Sequence, residues 1–173
     1  MNETVTTRMN DVDIGKVASL AQKISKEPHV ADTTWRAEVT WNRGFRSEAK
    51  VRDFEPSKSD EPEQLGGSNT GPNPVEQLLG ALGNCLAVGY AANATISGIE
   101  IRDMTIEVEG KLDLHTFLGL KSEHAGFSEI KVRVKLDSDA DSAALQELHE
   151  KVIASSPVGH TLGCAIPLDI KIT

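Results

Sequence analysis

A run of 23 residues without a charged side chain constrains this chain more than any other feature. It extends from Gln77 to Ile99 and follows Pro74, which can occupy a first helical turn because its missing N–H would have no partner there. Apolar residues recur at a spacing that covers nearly every face of a helix. They are Leu78, Leu79, Leu82, Cys85, Leu86, Val88 and Ala92. We therefore predict a helix that starts near Pro74 and is buried, either within one chain or between two subunits.

A segment of about 20 uncharged residues is also long enough to cross a bilayer. However, Gln77, Asn84 and Asn93 are polar, and several glycines interrupt the stretch. Small residues such as Gly83 and Ala87 would instead let another helix approach closely. We expect no membrane span.

Charge and cysteine content narrow the classes of function. A net charge of −8 argues against a nucleic-acid partner, which requires a basic face. The cysteines are Cys85 and Cys164, too few for a disulfide scaffold or a four-cysteine zinc site. No basic segment followed by an apolar core stands at Met1, so we expect a cytoplasmic protein. No phosphate-binding or metal-binding motif is present, and we expect no cofactor.

The first 30 residues are predicted to form an extension with one amphipathic helix. Residues 1–10 are polar, and we expect them to be frayed. The apolar residues between Ile14 and Lys26 form one stripe, Asp13 can cap the helix and Pro28 stops it. This helix either packs on the outside of the domain or binds a partner.

A β-hairpin is predicted next. Residues 33–41 alternate apolar and polar side chains as a half-buried strand does, and residues 45–54 form the returning strand. The turn at Asn42, Arg43 and Gly44 places Arg43 on a tight loop, where it is either functional or a solvated turn residue. Arg46 is its rival for a functional role. Residues 55–72 are polar and predicted to be a loop. This loop either acts as a lid or only connects its neighbouring elements.

The remaining chain predicts an α+β fold. Residues 99–114 and 127–136 alternate as strands, and the segment between them carries His115 and His124, which we interpret as surface residues. Residues 141–154 form an amphipathic helix with Asp139 or Asp141 near its start. Pro157 ends that helix, and a short turn leads to a final strand at residues 165–173.

Two sequence motifs resemble those of the OsmC/Ohr superfamily of thiol-dependent hydroperoxidases. Residues 71–85, GPNPVEQLLGALGNC, resemble the helix that carries the family's peroxidatic cysteine, and Ser156-Pro157-Val158 with Thr161 and Leu162 resembles its Cys-Pro-Val-x-x-Thr-Leu turn. The resemblance covers roughly residues 33–173, so we take residues 31–173 as the OsmC-like domain. It implies two antiparallel sheets around a long buried central helix and a second helix, in an intertwined homodimer.

The resemblance also implies a chemistry. Cys85 would attack the peroxide as a thiolate, and Arg43, which stays charged in any surroundings, would pair with that thiolate. A second cysteine would then form a disulfide that an external thiol or dithiol reduces. The family's glutamate position is Val75 here, with Glu76 one residue later, and its second cysteine position is Ser156.

The hydroxyl of Ser156 cannot form a disulfide with an oxidised Cys85. Three possibilities therefore remain open. Cys164 takes over, which requires its Cα to come within about 7 Å of that of Cys85, or an external thiol acts alone, or peroxidase activity is lost. From the family resemblance, we predict a peroxidase that reduces small organic hydroperoxides in oxidative stress defence. The alternatives are a non-peroxidatic relative that binds a small apolar or electrophilic ligand, and a structural protein with two inert cysteines.

Overall fold

The computed structural model of the chain describes residues 8–172, which form two compact units. Residues 15–78 form the first unit, and residues 79–172 together with the described segment up to Ile14 form the second. Each unit contains one antiparallel sheet, and a long helix connects them along the chain. The predicted α+β class, with two small antiparallel sheets and a long helix, is confirmed. The domain boundary near residue 30 remains a prediction.

Helix α1 (Ile14–Lys26) has the predicted bounds. Lys23 and Lys26 lie in its last turn, where positive charge is favourable against the helix dipole. The chain then enters a short 3₁₀ turn, Pro28–Ala31, which starts at the proline predicted to stop the helix.

The first sheet has three strands in the order β1 (Glu38–Trp41), β2 (Ser47–Lys50) and β3 (Ser57–Ser59). The predicted hairpin is confirmed, with Val39 opposite Ala49. The first strand was predicted from residue 33, which is wrong, because β2 pairs only with residues 38–41 and the earlier residues have no neighbouring strand. The prediction that it is half-buried is also wrong, since all four residues of β1 are exposed.

The predicted loop at residues 55–72 is more ordered than the sequence suggested. It contributes β3 and a 3₁₀ turn, Glu63–Leu65. The polar sequence Ser-Lys-Ser of β3 carries no alternation of apolar residues, so periodicity could not identify it as a strand. Asp60, directly after β3, is buried with 1% of its surface exposed and holds the following segment together.

Helix α2 (Pro74–Ile96) starts at the predicted proline and runs for 23 residues. Within this one chain it is buried along a single stripe at a spacing of four residues, formed by Leu82, Leu86, Tyr90 and Ala94. Val88 on another face is exposed. Burial on every face is therefore not found in a single chain, and burial between two subunits remains a prediction.

The second unit is built on a long hairpin of β4 (Asp103–Lys111) and β5 (Glu129–Asp137), with Ile106 opposite Val134. The connection between the strands contains the short helix α3 (Leu114–Phe117). Helix α4 (Ser142–Ser155) starts as predicted, because the Asp141 side chain accepts a 2.8 Å hydrogen bond from the backbone N–H of Ala144.

The core of this unit lies between α2, α4 and the hairpin. Leu148 and Val152 of α4 are almost fully buried and form one cluster with the buried stripe of α2 and with Ile99. Gly89 permits this approach, because a Cβ at Gly89 would lie 3.0 Å from Val152 Cγ1.

The end of the chain differs from the prediction. A further helix, α5 (Pro157–Gly163), follows α4 and replaces the predicted turn, and residues 165–172 form no strand. Residue 173 lies outside the described residues. Leu168 and Ile170 alternate with polar residues as a strand would, but both are exposed. A strand needs a neighbour to satisfy its backbone hydrogen bonds, and no strand of the described chain pairs with this segment.

The prediction of a frayed N-terminus over residues 1–10 is wrong at Asn10. The Asn10 amide donates to the Ile99 carbonyl at 2.9 Å and to Thr95 Oγ1 at 3.1 Å, and it accepts from the Ile101 N–H at 2.8 Å. These bonds attach the start of the chain to the junction between α2 and β4. Residues 1–7 lie outside the described residues.

Candidate functional site

Cys85 lies in α2 beside the buried stripe, and its side chain is half-buried. Its sulfur is 3.3 Å from the hydroxyl oxygen of Ser156. The two residues are 71 positions apart, so the contact depends on the packing of α2 against the junction between α4 and α5. The structure thus brings together the predicted nucleophile and the residue that stands at the family's second cysteine position.

Ser156 is held rigidly at that junction. It precedes Pro157, which restricts it to an extended backbone, and it serves as the N-cap of α5 by accepting a 3.1 Å hydrogen bond from the Gly159 N–H. Only 5% of the residue is exposed. Because its oxygen accepts from Gly159, the hydroxyl proton is available to donate to the sulfur of Cys85.

Cys164 lies at the opposite end of α5 from Ser156, at the C-cap. The two residues are eight positions apart, which amounts to about 12 Å along the helix axis at 1.5 Å per residue. Cys164 is exposed, and both cysteines are free thiols. The residue in contact with Cys85 is therefore Ser156, and a role for Cys164 as its partner stays a prediction.

Arg43 lies at the tip of the hairpin in the first unit, with a positive φ of 73°. Its guanidinium group stacks over the Trp41 ring, 5.3 Å from the ring centroid, and the Trp41 indole N–H donates to the Gly44 carbonyl at 2.8 Å. The rival Arg46 donates to the Ser68 hydroxyl at 3.2 Å. A pairing of Arg43 with the Cys85 thiolate stays a prediction.

Glu76, one residue after the position where the resemblance implies a glutamate, has a structural role in this chain. Asn73 and Glu76 form a capping box at the start of α2: the Glu76 carboxylate accepts from the Asn73 N–H at 2.8 Å, and the Asn73 side chain accepts from the Glu76 N–H at 2.9 Å. Glu76 therefore stabilises the helix start. The sequence contained this signal, because a glutamate three residues after an asparagine is a typical capping pattern.

Asp60 is a structural residue that was not predicted. Its carboxylate accepts hydrogen bonds from the backbone N–H groups of Glu61, Ser68 and Thr70 and from the Thr70 hydroxyl, at 2.9 to 3.1 Å. Burial acts to raise the pKa of Asp60, but the hydrogen bonds from Thr70, Glu61 and Ser68 favour the charged form, and the net pKa is lowered. An aspartate in a polar loop gives no sequence signal for such a role.

A cavity of about 750 Å³ lies entirely within the second unit and was also missed. Aliphatic side chains from α2, β5 and α4 form most of its wall, including Leu86, Val134 and Leu145. Ser156 and Cys164 also line it, whereas Cys85 does not. Ser156 therefore lies between the cavity and the Cys85 sulfur.

Two polar side chains in this cavity are hydrogen-bonded to each other. The phenol of Tyr90, on α2, contacts Nδ1 of His149, on α4, and the two rings are stacked with centroids 6.2 Å apart. Burial raises the pKa of Tyr90, so its hydroxyl stays protonated at neutral pH. Their partnership spans 59 residues and could not be identified from spacing in the sequence.

The chain shows no metal site and no membrane-spanning helix within the part that the structure describes. Within residues 8–172, no group of three or more histidine, cysteine or carboxylate side chains has a metal-binding arrangement. His115 and His124 are exposed, as predicted. Of the helices described, none is long and apolar enough to cross a membrane.

These features define an α+β protein with a half-buried cysteine on a long helix, in contact with a serine that caps a shorter one. The sequence model of the OsmC-like protein family matches residues 67–171. The chain belongs to the OsmC-like protein family.

The chain is also similar to individual known proteins. The chain is 28% identical over 111 residues to the uncharacterized protein YmaD of Bacillus subtilis (strain 168), covering 64% of this chain and 73% of that protein. Its fold is similar to that of an OsmC-like protein from Mycoplasma pneumoniae, with a TM-score of 0.66 at 20% identity over 76% of this chain and 89% of the other.

A third similarity is to an organic hydroperoxide resistance protein, OsmC, from Legionella pneumophila. The TM-score is 0.54 at 16% identity, over 76% of this chain and 91% of that chain. At such identities, both structural similarities establish the fold alone.

Proposed function

We propose that the protein reduces organic hydroperoxides with Cys85 as its peroxidatic thiol and an external thiol as its reductant. The observation that carries this proposal is the contact of 3.3 Å between Cys85 Sγ and Ser156 Oγ in a member of the OsmC-like family. The name of the Legionella pneumophila protein, which connects this fold with organic hydroperoxide resistance, supports the substrate class. The proposal includes a role in oxidative stress defence in the cytoplasm.

The first chemical step is a two-electron transfer. The Cys85 thiolate attacks the distal oxygen of the hydroperoxide, an S–O bond forms and the O–O bond breaks. The leaving alkoxide takes up a proton and departs as an alcohol. Cys85 is oxidised to a sulfenic acid, and the peroxide is reduced.

Ser156 acts as a positioning residue in this proposal. Its oxygen accepts from the Gly159 N–H, and because a thiolate has no proton to donate, the Ser156 hydroxyl is the donor once Cys85 is ionised; a hydrogen bond to a thiolate favours the charged form. The Arg43 guanidinium would supply the positive charge, as the family resemblance implies. A homodimer, also implied by the family, would complete the site.

The second step depends on an external thiol, because Ser156 has no sulfur. A thiol attacks the sulfur of the sulfenic acid, water leaves and a mixed disulfide forms. A second thiol then attacks the mixed disulfide, releases the oxidised dithiol product and restores Cys85. Cys164 takes part in neither step.

The test is anaerobic stopped-flow mixing of the reduced protein with cumene hydroperoxide, followed by mass spectrometry of both cysteines. We expect a sulfenic acid at Cys85 that dimedone traps, at the same rate in the Cys164→Ser variant, and no reaction in Cys85→Ser. A Cys85–Cys164 disulfide in the wild type would instead assign Cys164 as the resolving residue. If Cys85 remains a thiol for minutes at millimolar peroxide, the peroxidase proposal is wrong.

A second candidate function is supported by the same residues that depart from the family pattern. Ser156 replaces the second cysteine, and the Glu76 carboxylate is engaged in the capping box. A relative without peroxidase activity would use Cys85 to bind a small apolar or electrophilic ligand. Rapid alkylation of Cys85 by N-ethylmaleimide, together with no oxidation by cumene hydroperoxide, would favour this function over the first.

A further inference from the structure

The cavity of the second unit has the dimensions and lining of a small-molecule site. Its volume of about 750 Å³ falls within the range of roughly 300–1,000 Å³ in which small ligands bind. Its walls are mainly aliphatic, and none of the described residues that line it is an aspartate, glutamate, lysine or arginine. A ligand in this cavity would meet no permanent charge, which disfavours an ionised molecule.

The hydrogen bond between Tyr90 and His149 determines which polar group His149 offers. Tyr90 is only 3% exposed, and its protonated hydroxyl has Nδ1 of His149 as its hydrogen-bond partner. A buried hydroxyl donor is rarely left unsatisfied, so we assign the phenol as donor and Nδ1 as acceptor. Neutral His149 then carries its proton on Nε2 and offers a donor there.

His160, from α5, offers a hydrogen-bond acceptor, whereas His149 offers a donor. Its Nε2 lies 3.0 Å from the Ala154 carbonyl, which can only accept, so Nε2 carries the proton. In the neutral imidazole, Nδ1 is then an acceptor. Among the residues that line the cavity, His149 thus offers a donor and His160 an acceptor, and Ser142, Gln146, Ser156 and Cys164 add further polar atoms to a mainly aliphatic wall.

We propose that this cavity binds a neutral apolar molecule that carries a hydroxyl group, an alcohol or a phenol. A hydroxyl accepts one hydrogen bond and donates another, which matches His149 and His160, while the aliphatic walls bury the apolar body. This binding is reversible and involves no bond formation with the protein. The proposal does not rest on the proposed function, because Cys85 does not line the cavity.

The experiment measures binding of 1-naphthol and of 1-methylnaphthalene to the reduced full-length protein at neutral pH, without peroxide, by the fluorescence of the ligand. The two molecules have similar size, but only the first has a hydroxyl. We expect 1-naphthol to bind at least about tenfold more tightly, because two hydrogen bonds distinguish it from its control. Cys85→Ser should leave both affinities unchanged.

Two kinds of variant separate the apolar and polar parts of the proposal. Val132 and Ile153 line the cavity and are 37% and 50% exposed, so Val132→Trp and Ile153→Trp can narrow the cavity without disturbing the core. Both should weaken the binding of both ligands. His149→Phe should instead reduce the preference for 1-naphthol to about threefold or less, as one hydrogen bond is lost. His124→Phe, the same exchange at an exposed residue, is the matched control.

The proposal is overturned if 1-naphthol does not bind, or if both tryptophan variants, shown to be folded by circular dichroism, bind it as the wild type does. Equal affinities for the two ligands in the wild type, or an unchanged preference in His149→Phe, would also overturn it. Failure of the peroxide experiment would leave this result untouched, since no peroxide is used here.

Discussion

Replacing Ser156 with cysteine should give the protein a disulfide bond to Cys85. The Ser156 oxygen is 3.3 Å from the Cys85 sulfur, so the two side chains already face each other. A disulfide has an S–S length of about 2.05 Å, and the two sulfurs would have to approach by more than about 1 Å. The substitution restores the family's second cysteine at the position where this chain has a hydroxyl.

The size of the effect follows from the length of chain that the bond would close. The loop from Cys85 to position 156 contains 72 residues. The loss of conformational entropy in the unfolded chain for a loop of this length corresponds to about 4.4 kcal/mol at 25 °C. Strain from the required movement reduces this value, so we expect the oxidised variant to be more stable by about 2–4 kcal/mol.

The assay compares the oxidised and reduced forms of the same Ser156→Cys variant by urea denaturation. This comparison is necessary because cysteine is a poorer N-cap than serine, and the loss of that cap costs about 1 kcal/mol in both forms. Mass spectrometry after proteolysis identifies the disulfide. The oxidant is a stoichiometric amount of diamide, so that the result does not depend on reactivity toward peroxide.

Ser155→Cys is the matched control. Ser155 is exposed and donates to the Lys151 carbonyl at 2.8 Å, so its side chain is engaged elsewhere. It should give no disulfide to Cys85. The reasoning is refuted if Ser156→Cys forms no such bond, or if its two forms differ by less than about 1 kcal/mol, because strain would then cancel most of the entropic stabilisation.

Three further predictions concern stability and can be measured by urea denaturation. Asp60→Asn should destabilise the protein at pH 7. Because the pKa of Asp60 is lowered on folding, its carboxylate contributes stability above about pH 4 and loses that contribution at lower pH. The free energy of unfolding of the variant should therefore depend less on pH in that range. Gly89→Ala should lower the free energy of unfolding by about 1–2 kcal/mol through its contact with Val152, whereas Gly80→Ala, with nothing within 4 Å, should raise it by about 0.5–1 kcal/mol. Leu148→Ala should lower it by about 2–5 kcal/mol, because Leu148 is 2% exposed. A gain of stability in Gly89→Ala equal to that in Gly80→Ala, or a steeper acid dependence in Asp60→Asn, would contradict these predictions.

The sequence predicted the helices best, because their signals are local. α1 has the predicted bounds and α2 starts at Pro74, since prolines mark the start of one and the end of the other. The start of α4 follows from the cap at Asp141. Each of these boundaries depends on residues within a few positions of it, and a single sequence contains all of them.

Strands were predicted less well because a strand exists only where a neighbour pairs with it. The alternation at residues 33–41 and at residues 165–172 is similar, yet within the described residues 8–172 only residues 38–41 of these two segments lie beside another strand. β3 shows the reverse case: it pairs with β2 although its sequence has no apolar alternation. The pattern therefore indicates which segments can enter a sheet, while the pairing depends on the tertiary structure.

Ser156 shows why the site could be predicted only in part. The family resemblance identified its position, and a role for Cys164 in place of the missing sulfur stays a prediction. The structure shows a different consequence of the same substitution: a hydroxyl that caps α5, contacts the Cys85 sulfur and lines the cavity of Tyr90 and His149. The capping contact with Gly159 is local, only three residues along the chain, whereas the contact with Cys85 and the position in the cavity wall depend on the packing of distant elements and cannot be identified from neighbouring residues. If Ser156 affects both the thiol and the cavity, Ser156→Ala should alter the reactivity of Cys85 and the affinity for 1-naphthol together, whereas Cys164→Ser, at the far end of the same helix, should leave the reactivity of Cys85 unchanged.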